Sequence, residues 1–230
     1  MKTLYGRAGK RIFDIAVSSV ALVMLTPLFG ILAVLVKITS RGPIFYRQAR
    51  VGRDGRTFQL VKFRSMFVNS DRNGLLITSA GDRRITPFGR ILRSSKMDEL
   101  PQLWNVVWGE MSLVGPRPEV ALYVDSYSAQ QRDVLTIRPG ITDWASIAYR
   151  EEEKVLASRT DPDLYYREVI LPDKIELNRK YLNQMSFSHD LRLLFHTIAI
   201  VLFPRSVVRR LMGDASEAPG RASETLFLNR

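Results

Sequence analysis

The longest apolar stretch in the chain runs from Ile15 to Val36, 22 residues without a charge. As a helix it would be about 33 Å long, enough to cross the hydrocarbon core of a bilayer. Pro27 interrupts it near the middle, directly after Thr26. Proline lacks a backbone donor and crowds the preceding turn, so the pattern predicts a helix that bends or breaks there. Ser18, Ser19 and Thr26 can satisfy backbone groups freed inside lipid. A cleaved signal peptide fits poorly, because the stretch is long and no small-residue cleavage site precedes a polar start. The buried helix of a soluble core is the other alternative.

Beyond this stretch the apolar positions become shorter and periodic. Ile44–Arg47 and Thr57–Phe63 flank a Gly52-Arg53-Asp54-Gly55 turn and predict a small β-hairpin. Residues 69–90 read as loop. A helix is predicted to start at Asp98-Glu99-Leu100-Pro101, run to about Trp108 and stop at Gly109. Ser112–Glu119, with Gly115, Pro116 and Pro118, reads as loop. Pro118 as a first-turn residue, the Ser128/Gln131 capping box, Asp161-Pro162, Pro172 and Ser188 signal further helix starts. Leu191–Phe203 is too short to span a membrane and reads as a core or interfacial helix. Residues 213–230 read as a disordered tail. The expected class is α+β and mostly helical. Residues 1–40 would be a membrane element with a basic flank, and residues 41–212 a catalytic domain.

Charge sharpens the membrane reading. The net charge of the 230 residues is +11, and residues 1–65 carry +10 of it, with Asp14 and Asp54 their only acids. Residues 66–230 are almost neutral and show no basic face with interleaved aromatics, which disfavours a nucleic-acid partner. Both flanks of the apolar stretch are basic, so the positive-inside rule favours the cytoplasm for each. A re-entrant helix–break–helix, broken at Thr26-Pro27, satisfies both flanks. A kinked single span is the alternative.

Composition limits the chemistry. There is no cysteine, so thiol nucleophiles and thiolate metal sites are excluded. The two histidines, His189 and His196, share one C-terminal segment and read as structural. Carboxylates, hydroxyls, Lys and Arg remain. The densest group is Arg90-Ile-Leu-Arg93-Ser-Ser-Lys96-Met-Asp98-Glu99, just before Pro101. Asp98 could be a helix N-cap and Glu99 a first-turn charge. The same geometry also suits phosphate chemistry, since a helix start favours anions and an ionised Asp can attack phosphorus. A second carboxylate can hold Mg²⁺ or handle a proton. Downstream, Pro116 and Pro118 bracket Arg117, which reads either as a rigid surface turn or as a preset phosphate ligand. Glu151-Glu152-Glu153 reads as a solvated acidic run.

Asp98-Glu-Leu-Pro-Gln-Leu-Trp-Asn105 together with Met111-Ser-Leu-Val-Gly-Pro-Arg-Pro-Glu119 resembles the bacterial sugar transferases, small monotopic phosphoglycosyl transferases acting on polyprenyl phosphate. Further matches follow in the same order. They are Lys10-Arg-Ile-Phe-Asp14, Gly42-Pro-Ile-Phe-Tyr-Arg-Gln48, Val61-Lys-Phe-Arg-Ser-Met66, Arg138-Pro-Gly-Ile-Thr142 and Asp163-Leu-Tyr-Tyr166.

The resemblance implies that Asp98 attacks the β-phosphate of a UDP-sugar and releases UMP. Undecaprenyl phosphate would then take the sugar phosphate from the enzyme, with Mg²⁺ required and Asp98 and Glu99 as candidate ligands. By motif position, Arg93, Arg117, Lys62, Asp163, Pro116 and Pro118 would line the substrate site. It also implies a re-entrant helix in membrane lipid, an active site on the cytoplasmic face of the bacterial inner membrane, and glycan assembly as the setting. Oligomeric state and sugar identity are left open. The larger relatives' extra N-terminal transmembrane helices are absent, so a minimal catalytic form is expected. Two segments depart from the common pattern: Lys96-Met97 before the acidic pair, and Gly140-Ile-Thr-Asp-Trp-Ala-Ser-Ile-Ala-Tyr-Arg150.

Overall fold

A computed structural model describes residues 7–68, 70, 78 and 80–203. The expected tail, 213–230, lies outside the described residues. The described chain is mostly helical with two small sheets, as the sequence predicts.

Helix α1 spans Arg7–Thr39, long and apolar enough to cross a membrane. Contrary to the expected helix–break–helix, it is helical without interruption through Pro27. Proline deletes one N–H from the ladder but leaves the bonds on either side intact. Next to it, the Thr26 hydroxyl donates to the Leu22 carbonyl at 2.8 Å, adding a local bond inside the helix. Only 11% of the most apolar stretch is buried, so α1 is not the enclosed core helix of a soluble protein. One stripe, including Asp14, Ser18, Phe29, Leu32 and Val36, packs inward, while Val20, Val23, Met24, Ile31 and Val34 face outward.

Both ends of α1 are tied to the same body of protein. Arg11 donates to the Val106 and Val107 carbonyls, at 2.6 and 3.0 Å. Asp14 accepts from the Ser112 hydroxyl at 2.7 Å and the Leu113 N–H at 3.2 Å. At the far end, the Arg64 guanidinium donates to the carbonyls of Val36, Ser40 and Arg41.

Strands β1 (Phe45–Val51) and β2 (Thr57–Phe63) form the predicted antiparallel hairpin, longer in its first strand than expected. Helix α2 (Pro87–Ser94) begins inside the segment read as loop, with Thr86 as its N-cap and Pro87 in its first turn. Helix α3 (Gln102–Trp108) ends at Gly109, whose φ of +93° is open to glycine at little cost.

Strand β3 (Ser112–Val114) pairs in parallel with β4 (Gly140–Thr142), so the segment expected to be loop is strand over its first three residues. Its short length and its Gly/Pro-rich tail concealed it. A Cβ on Gly140 would strike the Gly115 backbone, and one on Gly115 would strike the Arg138 carbonyl.

Helix α4 (Ala121–Val124) starts after Val120, so Pro118 is not its first-turn residue. The Ser128/Gln131 capping box forms as predicted, in front of a 3₁₀ turn. Helices α5 (Trp144–Ala148), α6 (Glu152–Ala157), α7 (Pro162–Tyr165), α8 (Leu171–Gln184) and α9 (Phe187–Leu202) complete the described chain. A single π-type turn, Tyr166–Ile170, joins α7 to α8, and Pro172 lies in the first turn of α8, at the start the sequence predicts. Ser186, not Ser188, caps α9. Both histidines contact Trp144, as the structural reading requires.

Candidate active site

The acidic pair sits on a sharp reversal. After α2 the chain passes through Lys96 at φ +56°, in the left-handed region, into a 3₁₀ turn, Met97–Glu99. A non-glycine residue there costs about 1–2 kcal/mol, which surrounding contacts must offset. Asp98 and Glu99 therefore precede α3 by one short turn rather than capping it, and the N-cap of α3 is Pro101.

Asp98 is 4% exposed, and its Oδ1 has no hydrogen-bond partner among the described residues. A capping role is thereby removed. Burial pushes its carboxyl above the ordinary carboxylate range, and the neighbouring Glu99 charge pushes it further. One turn on, buried Gln102 also leaves its amide nitrogen unpartnered, a residue the sequence reading did not single out.

Glu99 has the opposite surroundings. Arg117 grips it with two N–H groups, at 2.5 Å to Oε1 and 3.2 Å to Oε2, and the Lys62 ammonium reaches Oε1 at 3.1 Å. Burial alone would raise its pKa. Arg117 and Lys62 outweigh that and hold the carboxyl well below the usual range. Burial lowers the Lys62 pKa, with Glu99 opposing, while Glu99 raises that of Arg117. Two adjacent carboxyls are thus driven apart, one toward its neutral form and one fixed as an anion.

Three separate elements deliver these groups. Lys62 is on β2, and the adjacent Val61 N–H donates to Asn105 Oδ1 at 3.0 Å. Asn105 Nδ2 returns a bond to the Gln59 carbonyl at 2.7 Å. Asn105, wholly buried, so fastens α3 to β2 and sets Lys62 beside Glu99. Leaving such buried amide partners unpaired costs about 1–3 kcal/mol.

The loop after β3 delivers Arg117. Gly115 N–H donates to the Thr142 carbonyl at 3.0 Å, Gly140 N–H to the Pro116 carbonyl at 2.9 Å, and Arg117 N–H to Asp143 Oδ2 at 3.2 Å. On the other side, Pro118 and Glu119 carbonyls accept from Arg50 and from Val51 N–H. Pro116 and Pro118 thus flank Arg117 in a loop secured on both sides.

Arg93 lies near enough to Asp98 to act on its titration, while its guanidinium is paired with Glu153. The acidic run is accordingly not only solvated, since Glu153 binds Arg93 and Glu152 binds Lys174. Asp163 is not brought to the acidic pair by any contact among the described residues. It accepts from Tyr123 Oη at 2.8 Å and pairs with Arg167 at 2.7 Å.

The order of the spaced motifs noted above agrees with direct sequence comparison. The profile of the bacterial sugar transferase family matches residues 5–204. The chain belongs to the bacterial sugar transferase family. It is 36% identical over 196 residues to a UDP-N-acetylgalactosamine-undecaprenyl-phosphate N-acetylgalactosaminephosphotransferase of Aeromonas hydrophila, covering 84% of this chain and 43% of that protein. It is 35% identical over 193 residues to a UDP-glucose:undecaprenyl-phosphate glucose-1-phosphate transferase of Klebsiella pneumoniae, covering 82% and 39%. The chain therefore spans about two fifths of the length of these curated relatives. With the exopolysaccharide production protein ExoY of Sinorhizobium fredii, identity is 33% over 215 residues, covering 87% of this chain and 88% of that protein.

Among the described residues no three acidic or histidine side chains cluster as a ready-made metal cage. The donor set nonetheless fits Mg²⁺, which commonly binds one or two carboxylates together with substrate phosphates. Asp98 has a buried, unpartnered oxygen to offer, whereas both oxygens of Glu99 are engaged by Arg117 and Lys62.

Proposed function

We propose that this sugar transferase moves a sugar-1-phosphate from a UDP-sugar to undecaprenyl phosphate on the cytoplasmic face of the bacterial inner membrane, as a first membrane step of glycan assembly. The observation that carries this reading is the buried Asp98 carboxyl, its Oδ1 without a partner among the described residues, beside a carboxylate held by Arg117 and Lys62. Asp98 attacks the β-phosphorus of the donor, and the bond between that phosphorus and the oxygen bridging to the α-phosphorus breaks. UMP leaves with the electron pair, and an aspartyl phosphosugar ester remains. An oxygen of undecaprenyl phosphate then attacks the same phosphorus and releases the Asp98 carboxylate. Arg117, Lys62 and Arg93 balance charge gathered around the phosphates, and the fixed Glu99 charge keeps Arg117 and Lys62 in place. Mg²⁺, when bound by Asp98 and the donor's phosphates, supplies further neutralisation of phosphate charge.

The test is UMP release by the full chain in nanodiscs, given undecaprenyl phosphate and either UDP-glucose or UDP-N-acetylgalactosamine. Repeated turnover that needs both the lipid and Mg²⁺ is expected, with no more than about one UMP per enzyme when the lipid is left out, and it stops on addition of EDTA. No release with either donor would count against the reading.

For the membrane element, α1 is proposed to keep both of its ends at the cytoplasmic face, lying in that leaflet without crossing the bilayer. Support comes from Arg11 and Asp14 at one end, and the carbonyls bound by Arg64 at the other, all joined to one body of protein. A perpendicular span would draw that charged body into lipid. The outward apolar stripe would face the acyl chains. The chain has no cysteine, so Ala8→Cys and Arg56→Cys give clean labelling sites, both exposed. Both are expected to react with an impermeant maleimide from the cytoplasmic side. Reaction from opposite sides would establish a single span.

A further inference from the structure

We propose that Asp143 is a positioning residue for Arg117, holding the main chain of that arginine so that its guanidinium meets Glu99. Asp143 is completely buried, at 0% exposure, and it uses its two oxygens on two different parts of the chain. Oδ1 accepts from the Ser146 N–H at 2.6 Å and caps α5, while Oδ2 accepts from the Arg117 N–H at 3.2 Å. A buried carboxylate is costly to keep unless its oxygens are satisfied, and here two backbone donors share it. Capping α5 needs only one oxygen, and asparagine caps as well as aspartate. The second oxygen is what ties the start of α5 to the Arg117 loop.

The contact acts along a short path. Gly115 N–H to Thr142 O and Gly140 N–H to Pro116 O fix the loop up to residue 116. The Asp143 bond is the next along the loop and falls on Arg117 itself. From there the side chain makes its two bonds to Glu99. Releasing the Arg117 N–H frees the origin of the side chain without removing any group that would touch substrate.

Asp143→Asn separates the two bonds, because a carboxamide has only one acceptor oxygen and keeps it for the helix cap. In the full chain in nanodiscs, kcat/KM for UMP release is expected to fall about tenfold to a hundredfold, the scale of a small misplacement at a reacting centre. The melting temperature should fall modestly, since the Arg117 N–H loses its acceptor, and by the same amount in the Arg117→Lys background. In an Arg117→Lys background, which cannot make the two-pronged grip, the same substitution should cost little more activity. Unchanged kcat/KM in Asp143→Asn, or an equal loss in the Arg117→Lys background, would overturn the proposal. The activity arm rests on the transferase reading, which an inactive wild type would contradict. Amide hydrogen exchange then decides the tether by itself. Faster exchange at Arg117 with the Ser146 amide still protected upholds it, and unchanged exchange at Arg117 refutes it.

Discussion

Asp98→Asn is expected to abolish UMP release, by at least about 10⁴-fold, while the protein remains folded and membrane-bound. Asparagine fills the same volume but offers no carboxylate to attack phosphorus. The stability effect separates this outcome from simple unfolding. Burial, with Glu99 adding to it, raises the folded pKa of Asp98 above its ordinary 3.8. Stability contributed by such a group is complete below the unfolded value and is lost as pH rises through the folded one. At neutral pH the wild type therefore bears the cost of a carboxyl placed where its charge is disfavoured, and a neutral amide does not. The melting temperature of Asp98→Asn should equal or exceed that of the wild type at pH 7, and the gap should close toward acid pH. Turnover in the variant near the wild-type rate would remove Asp98 as nucleophile. Lost turnover with a lowered melting temperature would make the residue structural instead.

Much of this arrangement could be read along the chain. The hairpin, the helix ending at Gly109 and the capping box follow from turn and capping chemistry that acts over a few residues. The acidic pair was legible as a local cluster of charge before Pro101. Long-range pairing was not. Nothing local to Ser112–Val114 announces a parallel partner at Gly140–Thr142, because each strand contributes only three residues and no hairpin links them. For the same reason Asp143 reads in sequence as one residue of an unusual segment. Its second bond is to a loop 26 positions away. The break predicted at Pro27 is absent from α1, because one deleted hydrogen bond is outweighed by the bonds on either side and by the packed stripe from Asp14 to Val36. An acidic run normally faces water, and only the fold brings Arg93 to the part-exposed Glu153.

Glu99→Gln is expected to cut turnover by about 10²–10³-fold, and its pH profile carries the diagnosis. In the wild type, Arg117 and Lys62 hold the Glu99 pKa well below its ordinary 4.5, against the effect of burial. A depressed carboxyl contributes stability that is present above its unfolded pKa and lost as pH falls through the folded one. Removing it leaves Lys62 and Arg117 facing each other without their anion. Breaking a buried pair costs about 3–5 kcal/mol, reduced to about 2–3 here because Arg117 is one-third exposed. Glu99→Gln should therefore melt lower than the wild type at pH 7 and approach it only as the pH falls through the depressed folded pKa, well below 4.5. Asp98 responds in the opposite sense. Glu99 is the second contribution, after burial, to its raised pKa, so removing that like charge lets Asp98 ionise more easily. The residual activity should consequently survive to lower pH than wild-type activity does. If Glu99 were instead the base that titrates on the acid limb, that limb would disappear from the variant rather than move. An acid limb unchanged in position would show that the two carboxyls are not coupled, and the division of roles between Asp98 and Glu99 would fail.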